Sequence, residues 1–141
     1  MGIGDSVLDV GCANGRYIGK LLDAGARVIG YDISPVAIET VATTSAATTQ
    51  AGRLQTVGCA LDTLACAVAP RSCDVALLMF GVLGHIRGVA QRVEALRKVR
   101  SLLKPGGRLV ATVPDRALMA VVSLDLACGF AAVATPTLEA A

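Results

Sequence analysis

Short apolar runs alternate along this chain with longer stretches in which apolar residues recur at helical spacing. Runs at residues 7–10, 28–33, 54–57 and 73–80 are continuous enough to predict strands that are buried on both faces of a sheet. Strands that alternate with helices in this way are typical of a parallel sheet covered by helices. The pattern therefore predicts an α/β fold with a doubly wound, mostly parallel sheet.

The residues between these runs predict where the helices begin and end. A first helix is expected from Asn14 to Gly25, because glycine suits a C-cap. Ser34-Pro35 opens a second, with serine as N-cap and proline at the first helical position. The polar stretch 43–52 is predicted to be a weak helix or a loop. A helix at 89–103 has the clearest apolar stripe, and the Pro-Gly-Gly at 105–107 is expected to end it.

The turn after the first predicted strand carries the strongest functional signal. Val7–Val10 leads into the residues Gly-Cys-Ala-Asn-Gly at 11–15, whose glycines permit backbone angles and a close ligand approach that a Cβ would prevent. The dinucleotide fingerprint Gly-x-Gly-x-x-Gly fails, because its second and third glycine positions hold Ala13 and Arg16. Asp9 precedes the first glycine, and a carboxylate favours a cationic ligand over a pyrophosphate. The turn therefore predicts a nucleotide-type cofactor site that receives a cation.

Residues 8–15, Leu-Asp-Val-Gly-Cys-Ala-Asn-Gly, resemble motif I of the class I S-adenosylmethionine-dependent methyltransferases. Val28–Ser34 resembles the second strand of that family with its terminal acidic residue, and Cys73–Phe80 resembles the fourth strand. Leu102–Val110 is similar to the family's helix, Pro-Gly-Gly turn and fifth strand. The match covers residues 5–115 and has four motifs in order, which is far more specific than one motif. It implies a Rossmann-like methyltransferase fold with S-adenosylmethionine as cofactor.

The resemblance implies a role for each candidate cofactor-binding residue. Asp32 would accept hydrogen bonds from both ribose hydroxyls, with a capping or surface carboxylate as the alternative. Asp9 would bind the glycine loop or the ligand's ammonium group, with a satisfied turn carboxylate as the alternative. Ile33 and Phe80 would flank the adenine and the sulfonium region. Asp62 would contact adenine in place of the acid that the family often carries where this chain has Cys59. The full predicted set is Asp9, Gly11, Cys12, Ala13, Gly15, Asp32, Ile33, Asp62 and Phe80.

His85, the single histidine, follows the fourth predicted strand. Parallel sheets bind ligands at the carboxyl ends of their strands, so His85 is a candidate catalytic base, with a structural role as the alternative. Methyl transfer depends mainly on alignment, so a base is not required. This segment, together with residues 114–116, resembles the type 11 methyltransferase group, and it lacks the Asp/Asn-Pro-Pro-aromatic and Pro-Cys motifs of nucleic-acid methyltransferases. The expected reaction is methyl transfer to a small-molecule acceptor by in-line displacement.

The composition indicates the number of domains and the class of protein, but it does not indicate the reaction. A chain of 141 residues, 54% of them hydrophobic, is expected to form a single domain over 1–141, with 117–141 as a C-terminal segment of unassigned role. A net charge of +2 does not by itself indicate a polyanion. The cations at 92–104 are better explained by a solvated helix face, with RNA contact as the lesser alternative. The apolar stretch 118–134 is interrupted by Asp125 and Gly129, so a buried or misformed edge element is expected and a membrane span is not.

The cysteine pattern predicts neither a disulfide framework nor a metal site, because five cysteines lack a Cys-x-x-Cys pair. A reduced, cytoplasmic setting is expected. Few residues flank the predicted strands, so a member truncated at both ends is expected, and a non-catalytic cofactor-binding fragment or partner subunit is the main alternative function. A nicotinamide-dependent oxidoreductase is compatible with Asp32 but opposed by Asp9. The acceptor and the oligomeric state are left open.

Overall fold

The computed structural model describes residues 4–46, 51–114, 119–125 and 131–136. Within them, seven strands form one sheet in the order β3-β2-β1-β4-β5-β6-β7. The strands are β1 (Ser6–Val10), β2 (Arg27–Asp32), β3 (Leu54–Gly58), β4 (Cys73–Leu78), β5 (Leu103–Pro114), β6 (Met119–Asp125) and β7 (Ala131–Pro136). The first five strands are parallel, while β6 and β7 are antiparallel to their neighbours. The predicted mostly parallel sheet is confirmed.

Helices cover both faces of this sheet, as a doubly wound fold requires. The described helices are α1 (Ile18–Asp23), α2 (Pro35–Thr44), α3 (Leu64–Ala67), α4 (Val82–His85) and α5 (Val89–Leu102), with a 3-10 turn at Leu61–Thr63. Val7 and Leu8 are adjacent in β1 and fully buried, yet they belong to different apolar clusters, because successive side chains point to opposite faces. Val7 packs with residues of α1 and α2, and Leu8 packs with residues of α3 and α5.

The first helix is shorter than its predicted range of 14–25, because it begins at Ile18. The loop before it contains residues at positive φ, including Ala13 at +46° and Gly15 at +79°, and this backbone cannot continue as an α-helix. Its predicted end is confirmed. The amide of Gly25, at φ +83°, donates to the carbonyl of Leu22, and the amide of Ala26 donates to the carbonyl of Leu21. This pair of bonds is a Schellman motif, which favours glycine at that position.

The predicted start of the second helix is also confirmed. Ser34 Oγ accepts a hydrogen bond of 3.3 Å from the amide of Ala37, and Pro35 occupies the first helical position. The helix ends at Thr44, within the stretch 43–52 that was predicted to be a weak helix or loop. Residues 47–50 of that stretch lie outside the described residues.

The Pro-Gly-Gly segment forms a bulge at the start of β5, whereas the sequence predicts only a turn that ends the helix. Cys73 pairs with Leu103 and Val75 pairs with Arg108, so residues 104–107 lie opposite Asp74. The residue types at 103–107 do not reveal that β4 pairs with Leu103, before the Pro-Gly-Gly segment. The bulge needs its second glycine, because a Cβ on Gly107 would lie 2.9 Å from the carbonyl oxygen of Lys104 and 3.2 Å from that of Cys73.

A Gly107→Ala substitution is expected to lower the free energy of unfolding by about 2 kcal/mol, because backbone atoms must move to admit the methyl group. Gly19→Ala is the matched control, since Gly19 lies in α1 with nothing within 4 Å of its added Cβ. That control is expected to raise the stability by about 1 kcal/mol through helix propensity. Urea denaturation of both variants measures the difference. Equal stability of the two would contradict the packing of the bulge.

Two C-terminal strands lie where the sequence predicts an edge element. β6 pairs with β5, and β7 pairs with β6 at the edge of the sheet. Residues 115–118, 126–130 and 137–141, which include part of the type 11 resemblance, lie outside the described residues. Among the described residues, no helix has the length and apolar character needed to cross a membrane. The expectations of a single domain over 1–141 and of a cytoplasmic setting stay predictions.

Candidate functional site

The main cavity opens at the carboxyl ends of β1, β2 and β4, where the strand order reverses. The chain passes from β1 to β2 and β3 on one side and then returns to β4 on the other side of β1. Such a reversal leaves a crevice that binds ligands in open α/β sheets. The cavity has a volume of about 510 Å³, which suits a small ligand. Its lining includes Asp9, Gly11, Cys12, Ala13, Arg16, Tyr17, Tyr31, Asp32, Ile33, Leu61, Met79, Phe80, Val82, His85 and Ile86.

The loop after β1 is held in place by the end of β2. The amides of Gly11 and Cys12 both donate to the carbonyl of Tyr31, at 2.8 and 2.9 Å. Gly11 has φ +75°, and a Cβ there would lie 2.6 Å from Cγ2 of Val82 in α4. Glycine is therefore required at this position by both the backbone angle and the packing of α4.

Asp32 connects the two strand ends through both of its carboxylate oxygens. Oδ2 accepts from the amide of Ala13 and Oδ1 accepts from the amide of Ser34, each at 2.9 Å. An ionised carboxylate oxygen can accept more than one hydrogen bond, so each oxygen retains capacity for a ligand hydroxyl. Asp32 therefore positions the loop and presents acceptors to the cavity. The N-cap of α2 is Ser34, whose hydroxyl accepts from the amide of Ala37, so Asp32 binds the N-cap residue without being the cap itself.

Asp9 is a buried carboxylate with an unsatisfied atom. Asp9 is 2% exposed, and its Oδ2 atom has no hydrogen-bond partner. Burial, with a smaller contribution from the charge of Asp32, raises the pKa of Asp9 to about 6. A buried, unpaired carboxylate is costly unless a cation or donor satisfies it. Asp9 lines the cavity, and its unsatisfied Oδ2 atom therefore makes the cavity suitable for a positively charged ligand.

Two other titratable groups of the cavity remain neutral at physiological pH. Burial, followed by the charges of Asp9 and Asp32, raises the pKa of Cys12 to about 12. Burial is also the main reason that the pKa of Tyr31 rises to about 12. The Cys12 thiol is therefore not a nucleophile here, since the thiolate is the reactive form. The negative charge of the cavity comes from the two aspartates.

A cation and two aromatic rings lie together on the cavity wall. The guanidinium carbon of Arg16 lies 4.7 Å from the centroid of the Phe80 ring, and the Tyr17 ring stacks on Phe80 at 5.8 Å. Phe80 has φ +56°, and the amide of the following Gly81 donates to the buried Thr112 hydroxyl at 3.2 Å. The sequence reasoning missed Arg16 and Tyr17 as site residues. Their position directly after the glycine loop was the available signal.

The structure brings most of the predicted site residues together. His85, at the end of the short helix α4, and the 72% exposed Ile33 both line the cavity. Asp62 is exposed in the 3-10 turn and is not among the lining residues, whereas its neighbour Leu61 is. Gly15 also lies behind the lining, where an added Cβ would approach Val41 Cγ2 to 3.1 Å. The roles assigned to these residues stay predictions.

A family model described as a methyltransferase domain matches residues 8–109. The chain belongs to the S-adenosylmethionine-dependent methyltransferases. This methyltransferase chain has the fold of the Burkholderia thailandensis 1,6-didemethyltoxoflavin-N1-methyltransferase, with a TM-score of 0.66 and 24% identity over 89% of this chain and 52% of that one. It is also similar to the [4+2]-cyclase SpnF, with a TM-score of 0.67 and 22% identity over 84% of this chain and 43% of that one. The class I resemblance is confirmed.

Curated relatives are much longer than this methyltransferase chain. It is 33% identical over 110 residues to the mouse (Mus musculus) tRNA (carboxymethyluridine(34)-5-O)-methyltransferase ALKBH8, covering 78% of this chain and 15% of that protein. It is 34% identical over 119 residues to an uncharacterized 37.1 kDa protein in transposon TN4556 of Streptomyces fradiae, covering 79% of this chain and 31% of that protein. The chain therefore spans less than a third of the length of each of these relatives.

The cofactor of this methyltransferase is S-adenosylmethionine, and the cavity fits its chemistry. The sulfonium and ammonium groups are cationic, and Asp9 has an unsatisfied buried oxygen. The ribose has two neighbouring hydroxyls, and Asp32 presents two acceptor oxygens.

Among the described residues, no group of three His, Cys, Asp or Glu side chains is placed to hold a metal ion.

Proposed function

We propose that this chain transfers a methyl group from S-adenosylmethionine to a small-molecule nucleophile by in-line displacement. The bound cofactor supplies an electrophilic methyl group on a cationic sulfur. Asp9 and Asp32 would hold this cofactor, whose sulfur would be left as a neutral thioether once the lone pair of the acceptor had displaced it from the methyl carbon. The observation that carries the proposal is the unpaired carboxylate of Asp9 in a cavity at the switch point of the sheet.

The chain's own residues position the reactants and exclude water. Asp9 attracts the positive charge of the ligand, while Asp32 orients the ribose and holds the glycine loop. Met79, Val82 and Ile86 form part of a largely apolar wall. Exclusion of water strengthens the interactions of both carboxylates and keeps the acceptor aligned with the methyl group.

The volume of the cavity supports a small acceptor. About 510 Å³ must hold the cofactor and the acceptor atom, so only a compact substrate or a protruding group fits inside. The fold also accommodates such chemistry in the Burkholderia enzyme, whose structure contains 1,6-didemethyltoxoflavin and S-adenosylhomocysteine. The cyclase with the same fold shows that fold alone does not determine the reaction.

A second candidate acceptor is a nucleoside of RNA. The observation that favours it is the 33% identity to a tRNA methyltransferase over 78% of this chain. A base that is extruded from an RNA strand is a compact group and could enter the same cavity. The two candidates share the cofactor site and differ only in what carries the acceptor atom.

Calorimetric titration with S-adenosylhomocysteine, using NAD as a competitor, is the first test. Micromolar binding that NAD does not displace is the expected result. Turnover of S-adenosylmethionine with panels of small molecules and RNA then identifies the acceptor. Cofactor binding without turnover of any acceptor would favour the non-catalytic alternative. A folded chain that does not bind S-adenosylhomocysteine would overturn the proposal.

His85→Ala is expected to lower kcat by about tenfold, the value of one lost hydrogen bond to the acceptor, and to leave cofactor affinity within about twofold. His85 lines the cavity from α4 and is exposed, so it can face an acceptor without supporting the fold. Steady-state kinetics and calorimetry measure the two effects. An unchanged kcat would assign His85 no role in the reaction.

A further inference from the structure

We propose that a second, basic cleft, at the opposite ends of the strands from the cofactor cavity, binds the phosphate backbone of a single-stranded nucleic acid. The cleft has a volume of about 460 Å³ and lies among the C-terminal turns of α5, the bulge at 104–107 and the turn at Arg71. Leu103 and the bulge line it at the amino-terminal end of β5. About 20 Å, the length of one strand, separates this cleft from the cofactor cavity.

Four cationic side chains converge on the cleft, and none of its lining residues is acidic: Arg71, Arg97, Arg100 and Lys104. Two of them have partners beyond the lining. Lys104 Nζ lies 2.8 Å from both oxygens of Asp74, and Arg97 lies 3.8 Å from the exposed Glu94. Arg71 and Arg100 have no ion pair among the described residues. Among the described residues, these two positive charges therefore have no ion-pair partner.

The backbone holds these two arginines near each other. The amide of Arg71 donates to the carbonyl of Ser101 at 3.0 Å, and the next amide, that of Ser72, donates to the carbonyl of Leu102 at 2.9 Å. These bonds cap the C-terminus of α5, so the turn is fixed beside the last turn of the helix. Arg71 has φ +52°, a conformation that L residues rarely adopt. A solvated helix face accounts for Arg97 and Arg100 but not for an arginine of another element at the same cleft.

The chemistry of the cleft favours phosphate. Three of its four cations are arginines, whose planar guanidinium groups bind phosphate oxygens in pairs. The cations come from three separate segments around the cleft. A strand with a phosphate at each nucleotide would contact several at once. The chain's net charge of +2 makes this concentration of cations a local feature rather than a property of the whole surface.

Fluorescence anisotropy with a labelled oligouridylate, measured on the full chain without cofactor, tests the proposal. Arg71→Gly retains the backbone angle and Arg100→Gln retains helix propensity, so both variants are expected to fold. The double variant is expected to lose affinity about tenfold, and the slope of log affinity against log salt should become shallower by about 1.4. The control Lys20→Ala removes one charge from the exposed face of α1 and should change affinity less than twofold.

Titration with S-adenosylhomocysteine separates this inference from the proposed function, because neither arginine lines the cofactor cavity. Both variants are expected to bind it with wild-type affinity, which also shows that they fold. Equal losses of oligouridylate affinity in the double variant and in Lys20→Ala would overturn the proposal. It would also be overturned if wild-type protein binds inorganic phosphate at the cleft but does not bind oligouridylate.

Discussion

Asp32→Ala is expected to weaken the binding of S-adenosylhomocysteine by about a hundredfold. The substitution removes two charged acceptors for the ribose hydroxyls, each worth about 1.5 kcal/mol or more. It also leaves the amides of Ala13 and Ser34 without their carboxylate partners, so the bonds of Gly11 and Cys12 to the Tyr31 carbonyl are the ties to β2 that the glycine loop retains. Both effects act on the same site, and for that reason the expected loss is large. Calorimetry at neutral pH measures it.

Two further variants separate these contributions. Asp32→Asn retains one acceptor oxygen and is expected to have an intermediate affinity. Asp23→Ala removes an exposed carboxylate at the end of α1 and should bind like the wild type. Circular dichroism confirms that each variant is folded before its affinity is compared. Binding by folded Asp32→Ala within threefold of the wild type would show that the ribose does not depend on Asp32.

Asp9→Asn is expected to stabilise the cofactor-free protein and to weaken ligand binding. The pKa of Asp9 is raised from 3.8 to about 6, so the folded protein holds this proton over a pH range in which the unfolded chain has released it. The native state binds more protons between about pH 4 and 6, and the free energy of unfolding therefore falls as the pH rises through that window. Above it, the buried charge costs about 3 kcal/mol. A neutral amide of the same shape should recover about 2 kcal/mol at pH 7.5.

The pH dependence gives this prediction a sharp control. At pH 4 the folded wild type retains the proton on Asp9, so Asp9→Asn and the wild type are expected to have similar stability there. The affinity of the wild type for S-adenosylhomocysteine should rise between pH 5 and 7, because its ammonium group favours the ionised carboxylate. That rise should be absent from Asp9→Asn. Asp23→Asn, an exposed substitution, should change neither property. If Asp9→Asn were less stable than the wild type at pH 7.5, the cost assigned to the buried charge would be wrong.

Asp9→Asn is expected to raise the stability of the protein and to lower its affinity for the ligand, and both effects have the same physical cause. A buried carboxylate oxygen without a partner destabilises the empty protein, and the proposed function has the same carboxylate attract a cationic ligand. The free energy that the ligand recovers on pairing with Asp9 adds to its affinity. A stabilising substitution that removes function is typical of binding sites, in which groups are placed for a ligand rather than for the fold.

The local signals in the sequence predicted the order of the elements and the glycine turn that lines the cavity. The Schellman glycine at Gly25 and the Ser34-Pro35 start of α2 depend on a few adjacent residues, so they could be recognised from the chain alone. Asp9 and Asp32 were placed at the correct strand ends for the same reason. The start of α1 was predicted too early, because the positive φ of Ala13 is imposed by contacts of its loop rather than by its side chain.

Contacts between distant residues could be determined only from the tertiary structure. The bond from the Ala13 amide to Asp32 spans 19 residues, and the orphaned oxygen of Asp9 depends on every element packed around β1. The contact of Arg16 with Phe80 and the approach of Arg71 to the end of α5 are equally nonlocal. The sequence by itself determined the parallel α/β architecture and the family, because hydrophobic period and motif spacing are local properties. Tertiary structure decided which charges are buried, paired or left to a ligand, because these depend on how distant segments exclude water.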